Sequence, residues 1–241
     1  MIGRVVEGRV ACLTIDRPRR RNALNATALE QLDGAVESAL DAGVRAIVLT
    51  GTDGHFCAGA DLTELEDLTF TRRVRSMLDR LAEAPVLTMA AVSGACMGLG
   101  MQLALACDVR VVADGATFGV PVGKLGLMVD HWTLQRLAEA WGPGAARHLV
   151  LSATTLDADD AWRLGFSQVR GDLGDALELA ARSAELAPLT VAGSKLGFDL
   201  LHRRLDEADY TAAFERAWSS EDLLEGRTAF AERRAPVFRG R

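Results

Sequence analysis

The sequence predicts an α/β protein with a helical C-terminal extension. Three observations carry this reading. Strand-like and helix-like stretches alternate up to about residue 170, the tail over 189–232 is helical throughout, and two strands each run into a turn built of small residues.

Residues 4–15 read as a β-hairpin turning near Glu7-Gly8. The loop over 17–25 holds four arginines, Arg17, Arg19, Arg20 and Arg21. It is either a solvated turn or a grip on phosphates, whose oxygens match the guanidinium fork. Asn25 is placed to cap a helix over 26–40 with Leu29, Leu32, Val36 and Leu40 on one face. A strand over 45–50 leads into the first small-residue turn, Gly51 to Leu62, in which the lone His55 is expected to be exposed. A helix over 70–84 then leads to an apolar strand over 86–92.

The stretch 94–108 organises the chain. Gly94 to Gly100 is small and flexible, and Met101 to Cys107 is dense in good helix formers. A helix starting here presents unpaired N–H groups and a partial positive charge, which suits a carbonyl oxygen becoming negative. Equally, the glycines could serve only close packing of helix on sheet. A strand over 108–113, an extended piece over 117–119 and an irregular loop over 121–129 follow. Asp130 is placed to cap a helix that stops at Gly142-Pro143-Gly144, and helices are expected over 145–151, 156–164 and 173–186. The recurring strand–turn–helix rhythm points to a spiral.

Composition narrows the function classes. With 241 residues, 49% apolar and 25% charged, the chain is expected to be globular and soluble with a substantial core. A net charge of −6 and a pI near 5.3 argue against general nucleic-acid or anionic-membrane binding. Cys12, Cys57, Cys96 and Cys107 have no CxxC spacing and no histidine cluster nearby, so they are expected to be small buried residues of a reduced compartment, and no metal is expected. Charged, strand-like sequence after Met1 and the lack of an apolar run of ~18 residues lead to the expectation of a cytoplasmic protein without a membrane span.

The segments 15–25, 56–61, 94–108 and 118–137 together resemble the crotonase superfamily of enoyl-CoA hydratases and isomerases. The likeness rests on Arg17-Pro18…Arg21-Asn22-Ala23-Leu24, Phe56-Cys57-Ala58-Gly59-Ala60-Asp61 and the glycine turn running to Cys107-Asp108, in that order and at matching separations. The resemblance implies a ββα spiral core over 1–188 that binds acyl-CoA, and a helical region over 189–241 that trimerises, as a homotrimer or a dimer of trimers. The apolar tail positions Leu200, Leu201, Phe214, Trp218 and Leu223 are expected to feed such an interface. The implied ligand is an acyl-CoA or enoyl-CoA thioester, with coenzyme A as part of that ligand and no permanently bound cofactor. Its carbonyl is expected between the backbone N–H groups of Ala60 and Leu99, an oxyanion hole worth ~3 kcal/mol per donor. The resemblance further places Arg19 and Arg21 near the CoA phosphates, Ala23 and Ala58 at the CoA portion, and Phe230 and Arg233 at a neighbouring subunit's CoA.

One departure bears on the chemistry. Hydratases of the superfamily use two glutamates as acid and base, and the matching positions here are Gln102 and Val122. An amide orients water but does not exchange protons near neutral pH, and valine does neither. The expectation is a fatty-acyl-CoA-binding member with weak or absent hydratase activity. Two alternatives stand behind it: other thioester-enolate chemistry using Asp130, and an ordinary hydratase with relocated acid–base groups. His131 and Trp132 are candidates to line the acyl end, and Lys124 is expected in solvent. The run Val122 to Trp132 also resembles an actinobacterial subgroup that lacks the acidic pair.

Overall fold

The structure, a computed structural model, describes residues 1–63, 68–200, 215 and 218–237. The chain forms two compact units, Met1–Phe118 with Asp157–Arg204, and Gly119–Leu156 with Leu205–Arg241. Its elements begin with β1 (Ile2–Glu7), β2 (Val10–Ile15), a 3-10 turn η1 (Pro18–Arg20), α1 (Ala26–Asp41), β3 (Ala46–Gly51), α2 (Leu68–Glu83) and β4 (Leu87–Val92). Then come β5 (Ala95–Met97), α3 (Leu99–Ala106), β6 (Val109–Val112), β7 (Thr117–Gly119), a second 3-10 turn η2 (Val122–Leu125), α4 (His131–Trp141) and α5 (Pro143–Leu151). The chain continues with β8 (Thr155–Asp157), α6 (Ala158–Arg163), β9 (Val169–Arg170), α7 (Leu173–Ser183), α8 (Pro188–Leu200) and a last helix, α9 (Glu221–Ala231).

The first unit is built on a six-stranded sheet of order β1-β2-β3-β4-β6-β9. The β1–β2 hairpin is antiparallel, and every later pair is parallel, with Val10 opposite Ala46, Ala46 opposite Leu87 and Met89 opposite Val109. Parallel neighbours need crossover connections, which α1, α2 and α3 supply. A strand covered on both faces reads as a continuous apolar run, and β3 is buried along almost its whole length. Helix α7 lies on the sheet through Ala176, Ala180 and Ala184, four residues apart and so on one face. These alanines pack against Val48, Met89, Ala91 and Val111, where side chains this small allow a close approach. Asn25 caps α1 as expected, its Oδ1 accepting the Ala28 N–H at 2.9 Å.

Two cations fasten helices to this sheet. Buried Arg110 donates from Nε to the Phe166 carbonyl at 2.7 Å and from Nη1 to the carbonyls of Cys107 and Ala104 at 2.9 and 3.2 Å. It thereby satisfies carbonyls left over at the end of α3. Lys195 of α8 donates to the Val86 carbonyl at 3.0 Å and pairs with Asp108 at 2.9 Å, and that carboxylate also accepts the Thr88 N–H and hydroxyl.

In the second unit, Asp130 caps α4, its Oδ1 accepting the Thr133 N–H at 3.0 Å and the Thr133 hydroxyl at 2.5 Å. Helix α9 crosses η2 with no side chain between the two backbones. A Cβ on Gly226 would overlap Leu125, and one on Gly126 would overlap the Asp222 carbonyl. The Trp218 indole donates to the Met128 carbonyl at 3.4 Å, and Leu223 is buried.

Several expectations need correction. The helix expected over 156–164 starts only at Ala158, because the Asp157 carboxylate accepts the Asp160 N–H and sets the N-cap there. Strands β8 and β9 were not anticipated, and the loop expected over 121–129 contains η2. All four cysteines are free as expected, but Cys12 is only partly buried. Of the tail residues expected to feed an interface, Trp218 and Leu223 pack inside their own unit. Leu201, Phe214 and the side chain of Leu200 lie outside the described residues. Exposed apolar side chains of the tail include Leu189, Leu196 and Phe198 on α8, with 88%, 57% and 67% of their surface accessible, and Leu224 and Phe230 on α9. Among the described residues no helix is long and apolar enough to cross a membrane.

Candidate functional site

The site begins where β3 ends. A Cβ on Gly51 would overlap the carbonyls of His55 and Phe56, so only glycine lets the chain double back there. Buried Asn22, itself at φ +61°, holds the returning loop. Its Nδ2 donates to the carbonyls of Thr52 and His55 at 2.8 and 2.6 Å, and its Oδ1 accepts the Arg17 N–H at 2.9 Å. The sequence offered for this clamp only an asparagine in an arginine-rich loop, a residue type that tolerates the left-handed region.

The segment 57–61 is bracketed by two hydrogen bonds. Leu24 N–H donates to the Gly59 carbonyl at 2.9 Å, and Asp61 N–H donates to the Leu24 carbonyl at 2.8 Å. Successive N–H groups of an extended chain point to opposite edges, so Ala60 directs its own N–H away from Leu24. On the other side, Gly94 and Gly98 at φ +51° and +52° turn the chain from β4 through β5 into α3. Leu99 is the first residue of α3, and Gly98 offers no side-chain cap, so the Leu99 N–H has no partner within the helix. Among the described residues, the hydrogen bonds that hold these turns use neither the Ala60 nor the Leu99 N–H.

The two turns lie against each other. A Cβ on Gly59 would stand 3.2 Å from the Met97 carbonyl oxygen and 3.8 Å from Leu99 N. A Cβ on Gly100 would sit 2.2 Å from the Cys57 carbonyl oxygen. The glycines let the helix start dock closely on the first turn, the packing role raised by the sequence. Cys57 and Cys96 pair as a one-rung parallel bridge that joins the segments.

The side chains around this point differ in character. Arg17 is turned inward, donating to the Ala23 carbonyl and to Asp61 at 3.1 Å. It serves the loop rather than a phosphate, whereas Arg19, Arg20 and Arg21 are exposed. The Arg21 carbonyl accepts the Ala58 N–H at 2.9 Å, which brings the basic loop, buried Ala23 and half-buried Ala58 to the same edge as Ala60. Burial pushes the Asp61 carboxyl up, but hydrogen bonds from the Thr63 hydroxyl and N–H and the charges of Arg17 and Arg20 outweigh it and hold it below the usual range. Burial pushes the Cys57 thiol up to about 12, so it is a neutral group and no nucleophile. His55 is not merely exposed. It is half-buried, and its Nδ1 accepts the Ala95 N–H at 3.2 Å.

Gln102 lies one turn into α3 and is half-buried. Val122, the first residue of η2, and the helix cap Asp130 belong to the second unit, together with half-buried His131 and Trp132 and exposed Lys124. Phe230 and Arg233, at and just beyond the end of α9, are exposed. Among the described residues no group of three or more His, Cys, Asp or Glu is placed to hold a metal ion.

The class follows from the family model: the enoyl-CoA hydratase/isomerase model matches residues 6–241, and the chain belongs to that family, within the crotonase superfamily. Among individual proteins, it is 39% identical over 245 residues to a probable enoyl-CoA hydratase of Mycobacterium tuberculosis, covering 100% of both chains. It is 34% identical over 250 residues to the short-chain-enoyl-CoA hydratase of Clostridium acetobutylicum, covering 95% of this chain and 93% of that one. Among solved structures, carnitinyl-CoA hydratase from Mycobacterium avium superposes with a TM-score of 0.86 at 33% identity, covering 100% of this chain and 98% of that one. A methylmalonyl-CoA decarboxylase in complex with 2-nitronate-propionyl-CoA superposes with a TM-score of 0.91 at 24% identity, covering 100% and 98%, which establishes likeness of fold.

Proposed function

We propose that this chain binds fatty-acyl or enoyl-CoA thioesters with the acyl carbonyl between the Ala60 and Leu99 N–H groups, and that it hydrates enoyl-CoA weakly or not at all. One observation carries the reading: the hydrogen bonds that hold two abutting glycine turns leave the Ala60 and Leu99 amides unused, the latter at a helix start. Each such donor stabilises a thioester enolate by ~3 kcal/mol, and it does so whether or not an acid–base pair accompanies it. Hydration also needs one group to deliver a proton and another to activate water. At the matching positions stand Gln102 and Val122, which can do neither. The neutral Cys57 thiol beside the turn is no substitute.

The exposed guanidinium groups of Arg19 and Arg21, on the edge shared with Ala23 and Ala58, support a role in holding the CoA phosphates. Coenzyme A then enters only as part of the ligand. Exposed Leu189, Leu196 and Phe198 on α8 support a homotrimer or a dimer of trimers in which 189–241 assembles the copies, with Phe230 and Arg233 free to reach a neighbour's CoA. The setting this implies is fatty-acid metabolism in the cytoplasm.

The test pairs calorimetric titration of hexadecanoyl-CoA with a turnover assay on crotonyl-CoA and longer enoyl-CoAs, followed at the enoyl absorbance. The expected result is saturable binding with little or no decay of absorbance. Rapid hydration would overturn the weak-activity reading, and failure to bind either thioester would overturn the site.

A further inference from the structure

The bridge between the two turns is shorter than its strands allow, and a side chain finishes it. With Cys57 opposite Cys96, the Cys57 N–H donates to the Ala95 carbonyl and the Met97 N–H to the Cys57 carbonyl, both at 2.9 Å. In a regular parallel ladder the next rung would run from the Ala95 N–H to the His55 carbonyl. That carbonyl is turned away and accepts the Asn22 amide at 2.6 Å instead. The Ala95 N–H goes to the His55 ring, reaching Nδ1 at 3.2 Å. This requires the tautomer with its proton on Nε2. The fit is close on both sides, since a Cβ on Gly94 would stand 2.6 Å from the same Nδ1.

We propose that His55 is a positioning residue. Its imidazole takes the place of the missing ladder carbonyl and fixes the register between the segment presenting the Ala60 N–H and the segment presenting the Leu99 N–H. Ala60 lies five residues beyond His55 and Leu99 four beyond Ala95, and the main-chain bonds between the two segments are the one-rung bridge and the Phe56 N–H donating to the Ser93 carbonyl at 2.8 Å. Ala95 lies between Ser93 and the bridge at Cys96, so a shift of Ala95 away from the ring is passed through the bridge toward both amides, and two donors converge on one oxygen only if their spacing is held. The inference rests on the thioester reading above and deepens it: Asn22 sets the His55 carbonyl aside, and the ring then does what that carbonyl would have done.

The experiment uses the full chain and hexadecanoyl-CoA labelled at the thioester carbonyl. Infrared difference spectra report how strongly the bound carbonyl is polarised, and calorimetry reports affinity separately. In the unmodified protein the bound carbonyl stretch is expected below that of the free thioester. His55→Ala is expected to bind the thioester with most of that displacement lost. His55→Asn, whose Oδ1 stands where Nδ1 does, is expected to restore it. A merely structural role would move the melting temperature of the alanine variant and leave the carbonyl band in place. His55→Val, whose side chain has no hydrogen-bonding atom, is the second acceptor-less variant should the alanine protein fail to fold. A wild-type band in either acceptor-less variant, or no restoration by asparagine, overturns the proposal. An undisplaced band in the unmodified protein overturns the thioester reading itself and this inference with it, and is told apart because no variant is involved.

Discussion

Gly100→Ala sets two effects of opposite sign against each other. Gly100 is the second residue of α3, where alanine would ordinarily stabilise a helix by about 0.5–1 kcal/mol over glycine. Here the added Cβ would stand 2.2 Å from the Cys57 carbonyl oxygen and 3.0 Å from both Cys57 C and Cβ, against 3.4 Å for ordinary van der Waals contact. The partner atoms are mostly backbone and cannot rotate away. The helix start must withdraw by about 1 Å, and overpacking of this kind costs about 1–3 kcal/mol. The clash outweighs the propensity, so the net effect is destabilising by about 0.5–2 kcal/mol, with an expected fall in melting temperature of roughly 1–8 °C for a chain of this size. The withdrawal also carries the Leu99 N–H out of place, so the polarisation of a bound thioester carbonyl should fall along with stability. Thermal unfolding by circular dichroism and the infrared band of bound hexadecanoyl-CoA measure the two effects. A melting temperature equal to or above that of the unmodified protein would refute the close docking of α3 on the first turn.

Other expectations follow from the same geometry. Asp61→Asn leaves the inward-facing Arg17 without its counter-charge and should cost about 3–5 kcal/mol in urea unfolding near neutral pH. Because the Asp61 carboxyl ionises below its usual range, its contribution is present above the unfolded carboxylate value near ~3.9 and is lost as pH falls through the folded value. The curves of variant and parent should therefore converge in acid, and parallel curves would exclude the ion pair as the cause. Lys195→Met removes the ammonium that ties α8 to Asp108 and the Val86 carbonyl, and should cost about 1–3 kcal/mol, with faster amide exchange confined first to α8. The double variant Gln102→Glu, Val122→Glu should raise crotonyl-CoA hydration by about 10²–10⁴-fold if those positions are the acid–base pair. No gain from a folded double variant would count against that assignment.

What the sequence disclosed was local. Helices α1 and α4 were legible because each carries its own start signal, Asn25 or Asp130, ahead of a helical sequence, and both caps are made as expected. The central strands were legible because β3 and β4 are apolar on both faces. Strands β8 and β9, of three and two residues, exist only through distant partners and have no pattern of their own. The paired turns could be seen as glycine-rich, but that Gly59 would touch Leu99 depends on a fold-wide alignment no window contains. The same reason hid the duties of Asn22 and His55, each of which bonds across at least 30 residues of chain. Leu223 proved buried within its own unit, because an apolar residue in a tail gives no sign of whether its partner is the same chain or another copy.

The crossing of α9 over η2 carries a consequence for how this chain can vary. Where Gly226 meets Leu125 and Gly126 meets Asp222, main chain leans directly on main chain, like two notched beams. Neither beam can shift or thicken unless the other is recut. A protein trimmed ahead of Glu221 would lose the rear wall of the bend that carries Val122, so the final stretch belongs to the architecture of that bend as much as any residue within it.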